Sequence, residues 1–83
     1  MPLERGNGTY YADLDGIYFI MRDAETGARV ACRASYPYLQ ARKEDPEADQ
    51  NALISFFETI REEMEGIASR KYNPKRPGIV VVG

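Results

Sequence analysis

Asp49 to Arg70 reads DQNALISFFETIREEMEGIASR, the longest periodic stretch of the chain, and its phase decides the fold. Stepping about 100° per residue from Leu53 places Leu53, Phe57, Ile60, Met64 and Ile67 in one arc, with Phe56 and Ala68 at its edges. Glu58, Glu62, Glu65 and Ser69 fall opposite, and Gly66 joins them on the outer side. The spacing predicts one amphipathic helix about 32 Å long, enough to cross a small domain once. Asp49 is the preferred N-cap, with Asp45 before Pro46 as the alternative. All other elements must pack on the inner arc.

Working back toward the N-terminus, Lys43 to Ala48 is a polar loop, and before it Ser35 can cap a short helix over Tyr36 to Arg42. Pro37 falls in that helix's first turn, where its missing N–H is tolerated, and Leu39 is expected inward. Gly16 to Arg22 alternates Ile17, Phe19 and Met21 against Tyr18, Ile20 and Arg22 in β-favouring residues. Ala28 to Ala34 alternates Val30, Cys32 and Ala34 against Arg29, Ala31 and Arg33. Asp23 to Gly27 joins the two as a hairpin turn, with Gly27 supplying positive φ. One face of this hairpin is apolar and must meet the helix, whereas the other is mixed and suits a sheet solvated on one side. The polar, Gly-rich residues 1–9 have no period and are expected as a loose arm, its end anchored by Tyr10 and Tyr11.

Beyond the long helix, Asn73-Pro74 and Pro77-Gly78 bracket a bend, and Ile79 to Val82 (IVVV) reads as a last strand buried on both faces. The expectation is therefore an α+β domain, ββααβ: a hairpin, a short helix and a long amphipathic helix packed on one face of a small, mainly antiparallel sheet that a C-terminal strand completes. With 83 residues, 43% of them hydrophobic, there is room for one core, so a single domain over 1–83 is expected.

Tyr10-x-Ala12, Ile17-x-Phe19 and Val30-x-Cys32-x-x-Ser35-x-x-x-Leu39 in the first half, followed by Leu53-x-x-Phe56, Arg61 with Met64-Glu65, and Ala68 with Lys71-Tyr72 in the second, form an order of motifs. That order is similar to the two halves of a family of small bacterial proteins known as domain of unknown function 1488. The arm departs from many members in lacking Phe-Pro, and Pro37-Tyr38 stands where an acidic helix start is common. The resemblance implies a compact α+β domain of bacterial origin and supplies no activity.

The chemistry the residues allow is narrow. The chain has no histidine, which excludes Ser-His and Cys-His nucleophilic pairs and histidine metal sites. Its one cysteine, Cys32, has no internal disulfide partner and reads as a small buried apolar side chain, because Arg33 points to the other face of the strand. Glu58, Glu62 and Glu65, at i, i+4 and i+7, read as a solvated acidic face rather than a cation site. No Gly-rich phosphate loop precedes a helix. No catalytic, cofactor-binding or metal residue is assigned, and an enzyme is the less favoured class. No apolar run of membrane-spanning length and no signal-peptide core appears, so the expected location is cytoplasmic, with no membrane partner.

Charge is the most informative part of the composition. The net −2 conceals a balanced stretch 1–44, a stretch 45–69 with seven acids against Arg61 alone, and a wholly basic 70–83. The candidate binding surface is that basic end, Arg70, Lys71, Tyr72, Lys75 and Arg76, together with Tyr18, Arg22, Arg29 and Arg33 on the open sheet face. The leading expectation is a non-enzymatic protein-interaction module, with a homodimer through the outer sheet face or the last strand's edge among its forms. The alternative is a nucleic-acid accessory protein that stacks bases on tyrosine and pairs phosphates with the basic end. The acidic balance of the whole chain weighs against it.

Overall fold

The computed structural model describes residues 2–76 and 78–83. It is an α+β fold with the element order β1 (Leu3–Glu4), β2 (Tyr10–Ala12), β3 (Gly16–Asp23), β4 (Arg29–Ser35), α1 (Tyr36–Lys43), α2 (Gln50–Lys71) and β5 (Val80–Val81). Central β3 pairs antiparallel with β4 on one side and with both β1 and β2 on the other, while β5 adds to β4 in parallel.

The hairpin forms as its alternation predicts. Ile17 faces Ala34, Phe19 faces Cys32 and Met21 faces Val30, and all six are buried on the inner face. At the turn, Gly27 takes φ 76°, open to glycine but strained for a residue with a Cβ, and its N–H donates to the Asp23 carbonyl at 2.8 Å. The Asp23 carboxylate accepts from the Glu25 and Thr26 N–H groups at 2.8 and 3.0 Å, an Asx turn that closes the loop from within.

Both helices start where their caps predict. The Ser35 hydroxyl accepts from Tyr38 N–H, Pro37 lies in the first turn of α1, and Leu39 is fully buried. Asp49, not Asp45, caps α2: its carboxylate accepts from Ala52 N–H at 2.8 Å. Asp45 instead turns the preceding loop, accepting from Glu47 N–H.

Three expectations are corrected. Residues 1–9 were expected to form a loose arm, and Met1 lies outside the described residues. Leu3, however, is 2% exposed, and β1 and β2 run as one interrupted edge along β3. Five residues separate Glu4 from Tyr10, while only two separate their partners Arg22 and Phe19, so three extra residues loop out on the edge. Gly6 and Gly8, at φ 66° and 79°, allow that bulge.

The second correction is the phase of α2. Leu53, Phe57, Met64 and Ala68 are buried, but so are Glu65 and Ser69, expected outside, while Ile60 and Ile67 are only half-buried. The N-terminal edge causes this rotation: Leu3 N–H donates to Ser69 Oγ at 3.1 Å, and Arg5 reaches Glu65. Third, the last strand is not buried on both faces. It has two residues at the sheet edge, with Ile79 and Val81 nearly half exposed and only Val82 buried below. The helices cover the inner face alone, so alternate residues of β5 face outward. Pro77, expected in the preceding bend, lies outside the described residues.

Candidate interaction surface

Strand register assembles a row of side chains across the outer sheet face. Tyr11 lies opposite Tyr18, Tyr18 opposite Arg33, and Arg33 beside Val81. The Tyr11 and Tyr18 rings stack with centroids 5.4 Å apart and planes 5° from parallel. Asp15 fixes the centre of the row, accepting from the Tyr18 hydroxyl at 3.1 Å and from Arg33 Nη1 at 3.1 Å. Arg33 Nε is buried without a hydrogen-bond partner among the described residues. Half-buried Ile20 and Ala31 form the next pair along β3 and β4. Arg22 and Arg29 then lie directly opposite one another, and Glu4 relieves their repulsion by pairing with Arg22 at 2.7 Å.

The basic end forms a second feature. A cleft of about 460 Å³ is lined by Lys71, Tyr72, Asn73 and Arg76 on one side and by Gly78 to Val81 on the other. Lys71 Nζ donates to the Val82 carbonyl at 3.1 Å and to that of Val81 at 3.5 Å, tying the end of α2 to β5. Tyr72 ties the same end to the hairpin, its hydroxyl donating to Asp23 Oδ2 at 2.6 Å.

The nine sequence-predicted residues therefore occupy separate places. Tyr18 and Arg33 lie in the outer-face row. Arg22 and Arg29 line a smaller hollow of about 240 Å³ with Arg5 and Ile20. Lys71, Tyr72 and Arg76 line the cleft. Arg70 and Lys75 are exposed and line neither hollow. Val81 belongs both to the row and to the cleft, and so joins the two. Sequence reasoning missed Tyr11 and Asp15. The Tyr10-Tyr11-Ala12 alternation, too short to stand out, was the available signal for Tyr11.

Cys32 is fully buried, and burial pushes its thiol up to about 12, so it is an inert core side chain. Glu65 turns inward to Arg5 and Arg61, which breaks the carboxylate stripe expected on α2. No helix among the described residues is long and apolar enough to cross a membrane. No protein-family model, curated protein or solved structure matches the chain.

The Asp23–Tyr72 bond makes the cleft's support sensitive to pH. The Tyr72 hydroxyl, followed by the Thr26 and Glu25 N–H groups, holds the Asp23 carboxyl below its ordinary value. The unfolded chain thus binds this proton more tightly. The resulting stabilisation is complete above the ordinary aspartate pKa of about 3.9 and is lost as pH falls through the lower folded value. The same bond raises the Tyr72 phenol, so at the alkaline end its contribution is lost as pH rises through that raised value. Tyr72→Phe is expected to lower the urea midpoint at neutral pH, and the gap to the parent chain should close on acidification. A gap unchanged down to pH 2 would mean that it does not come from the bond to the ionised Asp23 carboxylate.

Proposed function

We propose that the chain is a non-enzymatic protein-interaction module that meets its partner on the outer sheet face. The observation supporting this is the cross-strand row Tyr11–Tyr18–Arg33–Val81, left open while the opposite face is covered by both helices. Tyrosine and arginine around aliphatic side chains are the composition of protein interfaces, where aromatic rings bring large area at low entropic cost. The face holds three arginines against Glu4 and Asp15, so a partner with an apolar centre and a carboxylate rim complements it.

A nucleic-acid reading draws on the stacked tyrosines and the same arginines. It is weaker because the two rings already cover one face of each other, and Arg22 and Arg33 are paired with carboxylates. The two readings separate experimentally. Tyr11→Glu and Val81→Glu change exposed side chains and should leave the far-ultraviolet circular dichroism unchanged. Each is expected to abolish the cross-links that the parent chain forms in concentrated extract, or its self-association in sedimentation. Cross-links or self-association indifferent to both changes would overturn the proposal, as would a chain that stays monomeric and finds no partner. Binding to single-stranded RNA with a log–log salt slope of about −2, the value for three neutralised phosphates, would favour nucleic acid instead.

A further inference from the structure

The outer face alone is small. Only β3 and β4 exceed three residues, so even four strands about 4.8 Å apart over the full length of β4 would cover at most roughly 450 Å², against roughly 800 Å² on each side of a standard interface. A partner held firmly must extend beyond the face, and Val81 marks where it can do so. We infer that the cleft at the end of α2 takes an extended acidic segment of a partner protein, added as a further strand along the free edge of β5. This inference rests on the interaction-module reading and names the chemistry of the partner.

The backbone of β5 is open on that side. Val82 N–H donates inward to the Arg33 carbonyl at 2.8 Å, so by alternation the N–H and carbonyl of Val81 face away from β4. No group among the described residues accepts from Val81 N–H. The Val81 carbonyl is met only by Lys71 Nζ at 3.5 Å, at the weak limit of a hydrogen bond. An incoming backbone N–H can replace that contact and free one ammonium N–H for a carboxylate, while Lys71 keeps its 3.1 Å bond to the Val82 carbonyl.

Charge selects the occupant. Lys71 and Arg76 face the cleft, and neither pairs with a carboxylate among the described residues. Asp23, the acid that the cleft's Tyr72 touches, is engaged by that hydroxyl. A strand laid along β5 turns alternate side chains to opposite faces. One set meets Lys71 and Arg76 and is acidic. The other continues the exposed Ile79 and Val81 surface and is aliphatic.

The test uses the full ¹⁵N-labelled chain and two capped hexapeptides, one alternating glutamate with valine and the other glutamine with valine. The glutamate peptide is expected to bind saturably, to shift the Val81 amide and slow its hydrogen exchange, and to weaken as salt is raised. The glutamine peptide, and the glutamate peptide on Arg76→Glu, should each bind roughly tenfold more weakly, the loss expected of one charge-assisted hydrogen bond. Equal binding of both peptides, or no binding of either, overturns the inference. Shifts confined to Tyr11 and Tyr18 with Val81 unmoved overturn it too, while leaving the outer-face reading intact. Arg76-dependent self-association without peptide binding would assign the cleft to a second copy of the chain, again overturning the peptide occupant.

Discussion

Phe57→Ala is expected to destabilise the protein by about 3 to 5 kcal/mol, the usual cost of removing a fully buried phenyl ring. A chain of 83 residues at ~0.05 to 0.15 kcal/mol per residue has roughly 4 to 12 kcal/mol in total, so this one change removes a large share. The position explains why the loss should lie within that range rather than below it. The ring is fully buried between the Tyr10 ring at 5.3 Å and the Phe19 ring at 5.4 Å, both tilted by a little over 40°. Neither neighbour can move in to fill the space. Phe19 belongs to the central strand, paired on both sides, and Tyr10 is held by its hydroxyl on Glu58 and by the Arg61 guanidinium 5.0 Å from its ring centroid. Urea unfolding should show the midpoint falling with the slope unchanged. Phe56→Ala, one residue away on the half-buried flank, should cost clearly less. A loss below about 1 kcal/mol at Phe57 would mean that the ring is outside the core.

What could be seen in advance follows from the range of the interactions. Alternation and helical period are local, and they located β3, β4, α1 and α2, with Ser35 and Asp49 as caps. The N-terminal edge could not be seen, because a single leucine among polar residues has no period. Leu3 is fixed by β3, twenty positions on, and by Ser69, sixty-six positions on. Glu65 and Ser69 were assigned to solvent for the same reason: polarity on a helix predicts exposure until a distant partner intervenes. At β5, four consecutive aliphatic residues signalled burial but not sidedness, which depends on the sheet ending there. The basic residues of the candidate surface were evident in the charge pattern, yet their division into a row and a cleft depends on register. Asp15 and Glu4 join the surface only because β3 places them beside Arg33 and Arg22.

Glu65→Ala is expected to cost about 3 to 5 kcal/mol, the penalty for breaking a buried ion pair from one side. Glu65 is 6% exposed and its carboxylate is fully used, accepting from Arg5 Nη2 and Nε at 2.8 Å each and from Arg61 Nε at 3.1 Å. The two arginines differ in their surroundings. The Arg5 side chain is about half exposed and can return to water, so Arg5→Ala should cost clearly less than Glu65→Ala. The Arg61 side chain is only 14% exposed, lies over the Tyr10 ring and donates through Nη2 to the Gly8 carbonyl at 2.7 Å. It would remain as a buried cation without its anion. If that stranded charge is the source of the penalty, removing it should restore stability. Glu65→Leu combined with Arg61→Met should therefore be markedly more stable than Glu65→Ala, because an apolar pair of similar volume replaces a desolvated ionic one at little cost. If Arg5→Ala proves as harmful as Glu65→Ala and the double replacement recovers nothing, the two-bond clasp on the N-terminal edge, rather than the burial of Arg61, is what Glu65 provides.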